Sequence, residues 1–377
     1  MSTNGKSIQH QKNKTNKRKR LLKEDLDTFG KHKKSKIIYN DVNLGQITTI
    51  DKRNHIVIPK NKVLSIYQEY WEVKKRIGRG SFGSVWKISN IDQNGALKLF
   101  KKGVSMEYYT NEKNIIQTMN HPNIIHLIST GQILSTTFLL FPLYKGNIYD
   151  LLINPSIKRN NVCNSKKKKI MLGIMKGLEH MHGLNIIHRD LKPENILLDS
   201  EDNPKIIDFG NSIFLKNASE KIHPIYDKLN PEKSSVEHVS RYYRAPEISL
   251  YIPYSFSIDI WSATCLLFEL FSNNNIVLFQ SDSNQEHFYY INQLLDNPPF
   301  EYIMRSPKKD YYYDYDFTNH EYVIKPYFKE LYGDNPIDFI DITFSDPNID
   351  FLDICFTNLV WEPEKRMTAT QFKDILL

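Results

Sequence analysis

The sequence predicts an α+β fold of two unequal lobes, a small β-rich lobe followed by a larger, mostly helical one. From Tyr70 to about Phe141, short apolar runs alternate with glycine and polar turns, which is typical of strands. After Pro142, long segments place apolar residues at helical spacing, above all residues 166–182 and 258–271. A length of 377 residues suits one large bilobal body with an extension.

The predicted elements follow one another in a simple order. Residues 70–100 predict a β-hairpin region around a glycine cluster, and residues 107–119 predict a helix. Two strands are expected on either side of Gly131. Helices near 349–359 and 368–377 are expected to end the large lobe, whereas the Tyr-, Asn- and Asp-rich stretch from about 273 to 341 suggests no function.

Composition excludes several classes of protein. Cys163, Cys265 and Cys355 are odd in number and widely spaced, so neither a disulfide framework nor a cysteine-based zinc module is expected. No apolar run approaches the ~20 residues needed to cross a bilayer, and the polar, basic N-terminus does not resemble a signal peptide. These features predict an intracellular protein in a reducing compartment, without contact with a membrane.

The net charge of +7 is concentrated at the N-terminus. The first sixty residues hold 15 basic and five acidic side chains, and the remainder carries a balance of −3, which argues against a nucleic-acid-binding body. Residues 1–55 are predicted to be a basic disordered tail, because few large apolar side chains offset the entropy of ordering. The basic clusters at 17–20 and 31–36 suit nuclear import, phosphate binding or mere solvation, so the location is nuclear or cytoplasmic.

A glycine-rich motif lies between two predicted strands. It fits the pattern GxGxxGxV and consists of Ile77, Gly78, Arg79, Gly80, Ser81, Phe82, Gly83, Ser84 and Val85. Glycines let the backbone approach phosphate oxygens closely and present N–H groups to them. The motif alone is equally compatible with an ordinary glycine-rich hairpin, and a strand rather than a helix after it disfavours a Rossmann fold.

Lys98 follows fifteen residues after Gly83, within an otherwise apolar strand. A buried ammonium group requires an anionic partner, and Glu112 on the next predicted helix is the obvious candidate. A lysine that extends its ammonium group to solvent is the competing interpretation.

The most specific segment is His-Arg-Asp-Leu-Lys-Pro-Glu-Asn at 188–195, followed by Asp-Phe-Gly at 208–210. Together with the glycine-rich motif and Lys98, in the same order, these residues resemble the eukaryotic protein kinases. The resemblance runs from about Tyr70 to the C-terminus. It implies the bilobal protein kinase fold over 70–377, with an N-lobe at 70–142, a C-lobe at 145–377 and an insert at about 273–341.

The resemblance and the reaction together assign roles to these residues. Phosphoryl transfer needs positioning and charge neutralisation, so Lys98, held by Glu112, would bind the α- and β-phosphates of ATP. Asp190 would orient the hydroxyl and accept its proton. The oxygen donors of Asn195 and Asp208 suit Mg²⁺. Lys192 stands where serine/threonine kinases use a lysine for the γ-phosphate.

Further residues would hold the adenine ring. Pro142 and Tyr144 occupy the hinge, where the family uses a backbone carbonyl from the first position and a backbone N–H two residues later. Val85, Ala96 and Leu197 would enclose the purine.

The segment at 240–247 resembles the CMGC group of kinases, and Glu247 would pair with Arg366. Features of dual-specificity Tyr-regulated kinases and of SR-protein kinases occur together, so the branch stays open. Glu237 stands where many relatives carry a phosphorylated Tyr. The cluster expected to receive an anion comprises Arg189, Arg241 and Arg244, and Ser235 is the expected site of a true phosphate.

The sequence therefore predicts a protein kinase that transfers the γ-phosphoryl group of Mg-ATP to Ser/Thr hydroxyls of protein substrates. A pseudokinase scaffold would ordinarily lack Lys98, Asp190 or Asp208, and none is lost. The other alternative is a nucleic-acid-binding protein that acts through its basic tail, whose partners would then include nucleic acid or nuclear import machinery.

Overall fold

We describe the fold from a computed structural model, which describes residues 49–153, 162–224, 240–272, 275–333 and 351–377. The first element is a short hairpin of β1 (Thr49–Ile50) and β2 (Ile56–Val57). The last residues of the predicted 1–55 tail are therefore structured, and the rest of that tail lies outside the described residues. The prediction missed this hairpin because its strands have only two residues each.

The small lobe is a six-stranded antiparallel sheet in the order β3-β4-β5-β6-β8-β7. Its strands are β3 (Val63–Ile66), β4 (Glu69–Arg79), β5 (Gly83–Ser89), β6 (Asn94–Phe100), β7 (Ser129–Ile133) and β8 (Thr136–Pro142). One face carries an apolar core that includes Trp71, Trp86 and Leu97. Because side chains alternate along a strand, Val85, Ala96 and Lys98 lie on the other face.

The β7–β8 hairpin differs from the prediction. Gly131 lies inside β7, opposite Phe138, and the turn is formed by Leu134 and Ser135, both with positive φ (54° and 60°). The prediction placed the strands on either side of Gly131 because glycine usually marks turns. Here the backbone pairing of the two strands imposes a tight turn on residues that seldom form one.

Helix α1 (Met106–Thr118) packs beside this sheet and begins at Ser105, whose hydroxyl caps the backbone N–H of Glu107. Its buried side includes Ile115, Ile116 and the carboxylate of Glu112. The chain after α1 pairs with the large lobe, since Ile125 N–H donates to the Ile206 carbonyl at 3.0 Å. The two lobes thus share backbone hydrogen bonds close to the site.

The large lobe is built around two long helices. Its elements up to the second of these are β9 (Gly146–Asn147), α2 (Ile148–Ile153), α3 (Asn164–Gly183), β10 (Ile186–Ile187), β11 (Ile196–Leu198), β12 (Pro204–Ile206), β13 (Ile213–Phe214), α4 (Pro246–Ser249) and α5 (Ser257–Phe271). Every residue of α5 after Ser257 is buried. At Gly173 of α3, an added Cβ would lie 2.4 Å from the Pro204 ring, so glycine lets β12 approach.

The remaining elements form the C-terminal part of this lobe. They are α6 (Asn284–Leu295), α7 (Phe300–Ile303), α8 (Lys309–Tyr312), β14 (Tyr313–Asp316), β15 (Glu321–Ile324), α9 (Tyr327–Tyr332), α10 (Phe351–Asn358) and α11 (Ala369–Leu376). Phe288 of α6 contacts Tyr312 and Trp361, so the described part of the 273–341 stretch packs on the lobe. None of the helices in the described ranges is long and apolar enough to cross a membrane.

A fully buried ion pair joins α4 to the C-terminal region. Arg366 donates to both carboxylate oxygens of Glu247, at 2.7 and 2.9 Å, and its guanidinium lies over the Trp261 ring. This confirms the expected pairing.

Replacing Arg366 by Met should lower the free energy of unfolding by about 3–5 kcal/mol, because Glu247 would stay buried without its counter-charge. The control is Lys365→Met, which removes an exposed pair with Glu362 and should cost less than about 1 kcal/mol. Urea unfolding measures both. Equal effects of the two substitutions would contradict this prediction.

Candidate active site

Asp259 of α5 anchors the loop at 188–190 through hydrogen bonds to its backbone. This buried carboxylate accepts hydrogen bonds from the backbone N–H groups of His188 (2.8 Å) and Arg189 (2.9 Å), and the His182 ring lies 3.0 Å from it. Burial alone would raise the pKa of Asp259, but the hydrogen bond from His182 and these neighbours lower it. The loop is therefore held by a charged carboxylate that belongs to the long buried helix α5.

Two residues of the site have left-handed backbone conformations. Arg189 has φ 70° and Asp208 has φ 63°. Such conformations are unfavourable for residues other than glycine and persist where surrounding contacts enforce them. Asp259 enforces the first, and the packing of Phe209 against His188, with ring centroids 5.5 Å apart, accompanies the second.

Asp190 is the centre of a four-residue network. Its Oδ1 accepts hydrogen bonds from the hydroxyl (2.6 Å) and backbone N–H (3.2 Å) of Ser240, and its Oδ2 accepts from Lys192 (2.9 Å) and Asn195 (3.2 Å). Lys192 also donates to the Ser240 hydroxyl at 2.8 Å. Asp190 is 5% exposed, so these contacts determine where its carboxylate points.

A second network joins the two lobes. The Lys98 ammonium group donates to both oxygens of Glu112 (2.7 and 2.8 Å) and to Oδ1 of Asp208 (2.9 Å). The predicted Lys98–Glu112 pair is present, and Asp208 is an additional partner. Glu112 is 2% exposed, whereas the Asp208 side chain is 38% exposed and open to a ligand.

Burial and charge act together on this triad. Burial by itself would lower the pKa of Lys98, but the carboxylates of Asp208 and Glu112 outweigh it and raise that pKa. Burial raises the pKa of Glu112, which Lys98 opposes only in part. Burial also acts to raise the pKa of Asp208, yet Lys98 holds it below its usual value. Lys98 is therefore charged and Asp208 ionised at neutral pH.

The glycine-rich motif forms the end of β4, a turn and the start of β5. Gly80 N–H donates to the Gly83 carbonyl at 2.9 Å, which closes the turn over Ser81 and Phe82. A Cβ at Gly83 would lie 2.2 Å from the Leu99 carbonyl oxygen, whereas nothing lies within 4 Å of one at Gly80. Gly83 is thus required by strand packing, while Gly80 leaves open space for a ligand.

The other residues of the motif are placed as follows. Ile77, Gly78 and Arg79 are in β4, and Ser84 and Val85 are in β5. Arg79 forms an ion pair with Asp51 of the N-terminal hairpin at 2.9 Å, which the sequence did not suggest. Phe82 packs on Tyr108 of α1, with ring centroids 4.6 Å apart.

The hinge segment follows β8. Pro142 pairs with Gly95, and the N–H groups of Leu143 and Lys145 donate to the carbonyls of Asn94 and Leu198. Among the described residues, none accepts a hydrogen bond from the N–H of Tyr144 between them. Ala96 and Leu197 are partly buried at the same edge of the core.

The predicted regulatory cluster is only partly described. Arg241 and Arg244 both donate to Oδ1 of Asn284 on α6, whereas Arg189 lies over the Tyr254 ring. Ser235 and Glu237 lie outside the described residues, so their role stays a prediction.

Sequence reasoning missed the part played by Ser240. Its only signal was its position directly before the Arg-Tyr-Tyr-Arg motif, 50 residues after Asp190. The segment is anchored through Tyr243, whose hydroxyl donates to Glu269 (2.6 Å) and whose carbonyl accepts from Ser262 (2.6 Å). These tertiary contacts, together with those of Arg241 and Arg244 to Asn284, bring Ser240 to the loop at 188–190.

Comparison with known proteins identifies the family. The family model described as protein kinase domain matches residues 71–375, so the chain belongs to this family and has its α+β bilobal fold. The chain is 33% identical over 224 residues to a probable serine/threonine-protein kinase, the MRK1 homolog of Encephalitozoon cuniculi, covering 58% of this chain and 66% of that protein. It is 29% identical over 329 residues to dual specificity tyrosine-phosphorylation-regulated kinase 4 of Homo sapiens, covering 82% and 58%.

A third relative is a probable serine/threonine-protein kinase of Arabidopsis thaliana, 28% identical over 305 residues, which cover 78% of this chain and 48% of that protein. The matched regions span between 32% and 66% of the length of relatives such as these. Residues 240–247 indicated a resemblance to the CMGC group of kinases. The match to dual specificity tyrosine-phosphorylation-regulated kinases confirms that resemblance.

Replacing Lys98 by Met should make stability depend on pH. Glu112 would keep the burial that raises its pKa and lose the cation that lowers it. A raised pKa in the folded state means that stability is retained at low pH and lost as pH rises through that pKa. We expect a loss of about 3 kcal/mol at pH 8 and a clearly smaller loss at pH 5.

The double variant Lys98→Met/Glu112→Gln is the control, because Gln does not titrate. Urea unfolding at both pH values should show that its stability varies much less with pH than that of Lys98→Met. Identical pH profiles of the two variants would show that Glu112 is not the group responsible.

Proposed function

We propose that this protein is a serine/threonine-protein kinase that transfers the γ-phosphoryl group of ATP to hydroxyl groups of protein substrates. The observation that carries this proposal is the proximity of two networks, Lys98 with Glu112 and Asp208, and Asp190 with Lys192, Asn195 and Ser240. They are joined where the N–H of Ile207, the residue before Asp208, donates to the Asn195 carbonyl at 3.0 Å. The first suits the phosphates of a nucleotide, and the second suits an incoming hydroxyl.

Asp190 has the geometry of a group that positions a nucleophile. Its carboxylate is held by several donors at once, so a substrate hydroxyl that binds at a remaining acceptor site of this carboxylate would meet a preorganised group. Lys192 lies beside it with a positive charge that stabilises the transferring phosphoryl group. Ser240 is a positioning residue, since it contacts both Asp190 and Lys192.

The oxygen donors present fit a divalent cation such as Mg²⁺. The amide nitrogen of Asn195 is engaged with Asp190, which leaves the amide oxygen as its ligand atom. Asp208 is ionised and partly exposed. When bound, Mg²⁺ would neutralise charge on the phosphate oxygens. Asp208 and Asn195 would hold it, and Lys98 would bind the phosphates of the nucleotide.

The adenine part of ATP fits the hinge. The N–H of Tyr144 and the carbonyl of Pro142 supply a donor and an acceptor, while Val85, Ala96 and Leu197 supply apolar contact. Gly80 leaves space for the phosphates to approach the backbone.

The extent and location of the functional unit are proposals as well. We assign the kinase domain to about 70–377, with the lobes meeting at 142–145 and the insert at 273–341, and we assign to the basic residues before it a role in nuclear import or anion binding. The support for these assignments is the order of the motifs and the concentration of basic side chains before residue 60.

Asp190→Asn should reduce phosphoryl transfer about 10²–10⁴-fold and leave ATP affinity nearly unchanged, since an amide cannot accept the hydroxyl proton. Asp208→Ala should instead abolish Mg²⁺-dependent ATP binding together with turnover. Radiolabel transfer to Ser-, Thr- and Tyr-containing peptides measures the first effect, and calorimetric titration with ATP, with and without Mg²⁺, measures the second. Unreduced transfer in Asp190→Asn, or metal-dependent ATP binding in Asp208→Ala, would overturn the respective role.

Ser240→Ala should lower kcat about tenfold with little change in ATP affinity, because Asp190 and Lys192 lose a shared partner. Ser240→Thr retains the hydroxyl and should restore most of the activity. A drop in thermal stability without a change in kcat would assign Ser240 a structural role only.

A further inference from the structure

We infer that the small lobe carries a binding site for an acidic peptide segment of a partner protein, formed by Lys60, Lys74, Lys75 and Lys87. Together with Asn94 these lysines line an open cleft of about 460 Å³ on the sheet. The inference goes beyond the proposed kinase activity and does not depend on it, because it concerns binding at residues outside the catalytic networks.

A β-bulge brings these lysines together. In the pairing of β4 with β5, Val73 lies opposite Ile88 and Lys75 lies opposite Lys87, so the register shifts by one residue at Lys74. Strict alternation would place Lys74 and Lys75 on opposite faces of the sheet, whereas a bulge sets two residues against one on the partner strand. Three lysines therefore meet at one place, and Lys60 joins them from the segment before β3.

The concentration of positive charge is largely uncompensated. Lys74 pairs with Glu72 at 2.9 Å. Within the described parts of the chain, no carboxylate lies within 4 Å of the ammonium groups of Lys60, Lys75 or Lys87. Lys75 and Lys87 are directly opposed across two strands, an arrangement of like charges that costs stability. An anionic partner would remove this repulsion.

The cleft favours an acidic peptide over a nucleic acid. Its lining contains no aromatic side chain on which a base could stack. It also contains no arginine, whose guanidinium group could donate two hydrogen bonds to one phosphate. Lysines are flexible point charges that tolerate carboxylates at varied positions along an extended chain. The volume exceeds what a single small anion fills, so several carboxylates along one segment match it better.

The lysine-lined cleft lies close to the proposed nucleotide site. Lys87 lies opposite Ala96, and Asn94 accepts a hydrogen bond from the hinge residue Leu143. The lysines therefore lie on the same sheet face as Val85 and Lys98, outside the adenine side of the proposed nucleotide cleft. An acidic segment bound here would hold its protein beside the mouth of the active site.

The test uses the full chain and a fluorescein-labelled peptide of eight aspartates, titrated at low salt, where charge contacts are screened least. Lys75→Gln/Lys87→Gln should weaken binding about fivefold or more. The matched control is Lys216→Gln/Lys221→Gln, which removes two exposed lysines of the large lobe and should leave affinity unchanged. Because the opposed charges are removed, the melting temperature of the cleft variant should be equal to or above that of the wild type.

Carbodiimide coupling of the aspartate peptide, followed by mass spectrometry, separates the cleft from the basic N-terminal residues. We expect coupling at Lys60, Lys74, Lys75 or Lys87. Coupling restricted to lysines before residue 49, or equal affinities of the cleft and control variants, would overturn the inference. Tighter binding of a labelled dT12 oligonucleotide, lost in the cleft variant, would also overturn it in favour of nucleic acid.

Discussion

The catalytic loop depends on one buried carboxylate. Asp259 lies on α5, a long helix that is buried after its first residue, and accepts hydrogen bonds from two successive backbone N–H groups of the loop. A charge buried in this way is tolerated only when several donors surround it, and once they do, their geometry is rigid. Arg189 has a left-handed conformation at this point, and the next residue, Asp190, contacts Lys192, Asn195 and Ser240.

A second constraint acts between the lobes. Lys98 belongs to the sheet, Glu112 to α1 and Asp208 to the large lobe, yet the Lys98 ammonium group lies within 3 Å of both carboxylates. Burial and the two carboxylates act on the pKa of Lys98, burial, Lys98 and Asp208 act on that of Glu112, and burial and Lys98 act on that of Asp208, so no member is independent. The position of α1 is thereby coupled to the Asp-Phe-Gly segment, which is reinforced by the Asn111 side chain donating to the Ser212 carbonyl at 2.8 Å.

Deviations from regular backbone geometry occur where side chains must be redirected. The bulge in β4 turns Lys74 and Lys75 to one face, and the left-handed Asp208 turns a carboxylate toward Lys98. In contrast, Gly131 leaves its strand regular, and the turn is made just after the strand's end by Leu134 and Ser135. A glycine in a sequence indicates that an unusual conformation is allowed there, whereas strand pairing decides whether one is used.

The sequence by itself determined the fold class, the order of the elements and the residues that carry charge in the site. It did so because helical periodicity, strand alternation and short motifs are local properties. The buried charge of Lys98 required a partner such as Glu112, and the resemblance to the kinase family implied the Glu247–Arg366 pair. Only the tertiary structure decided that Ser240 meets Asp190, that Asp51 reaches Arg79 and that the lysines of β4 and β5 share a face. The physical reason is that these contacts depend on strand register and on the path of the backbone between distant segments, and neither is encoded in any single stretch of residues.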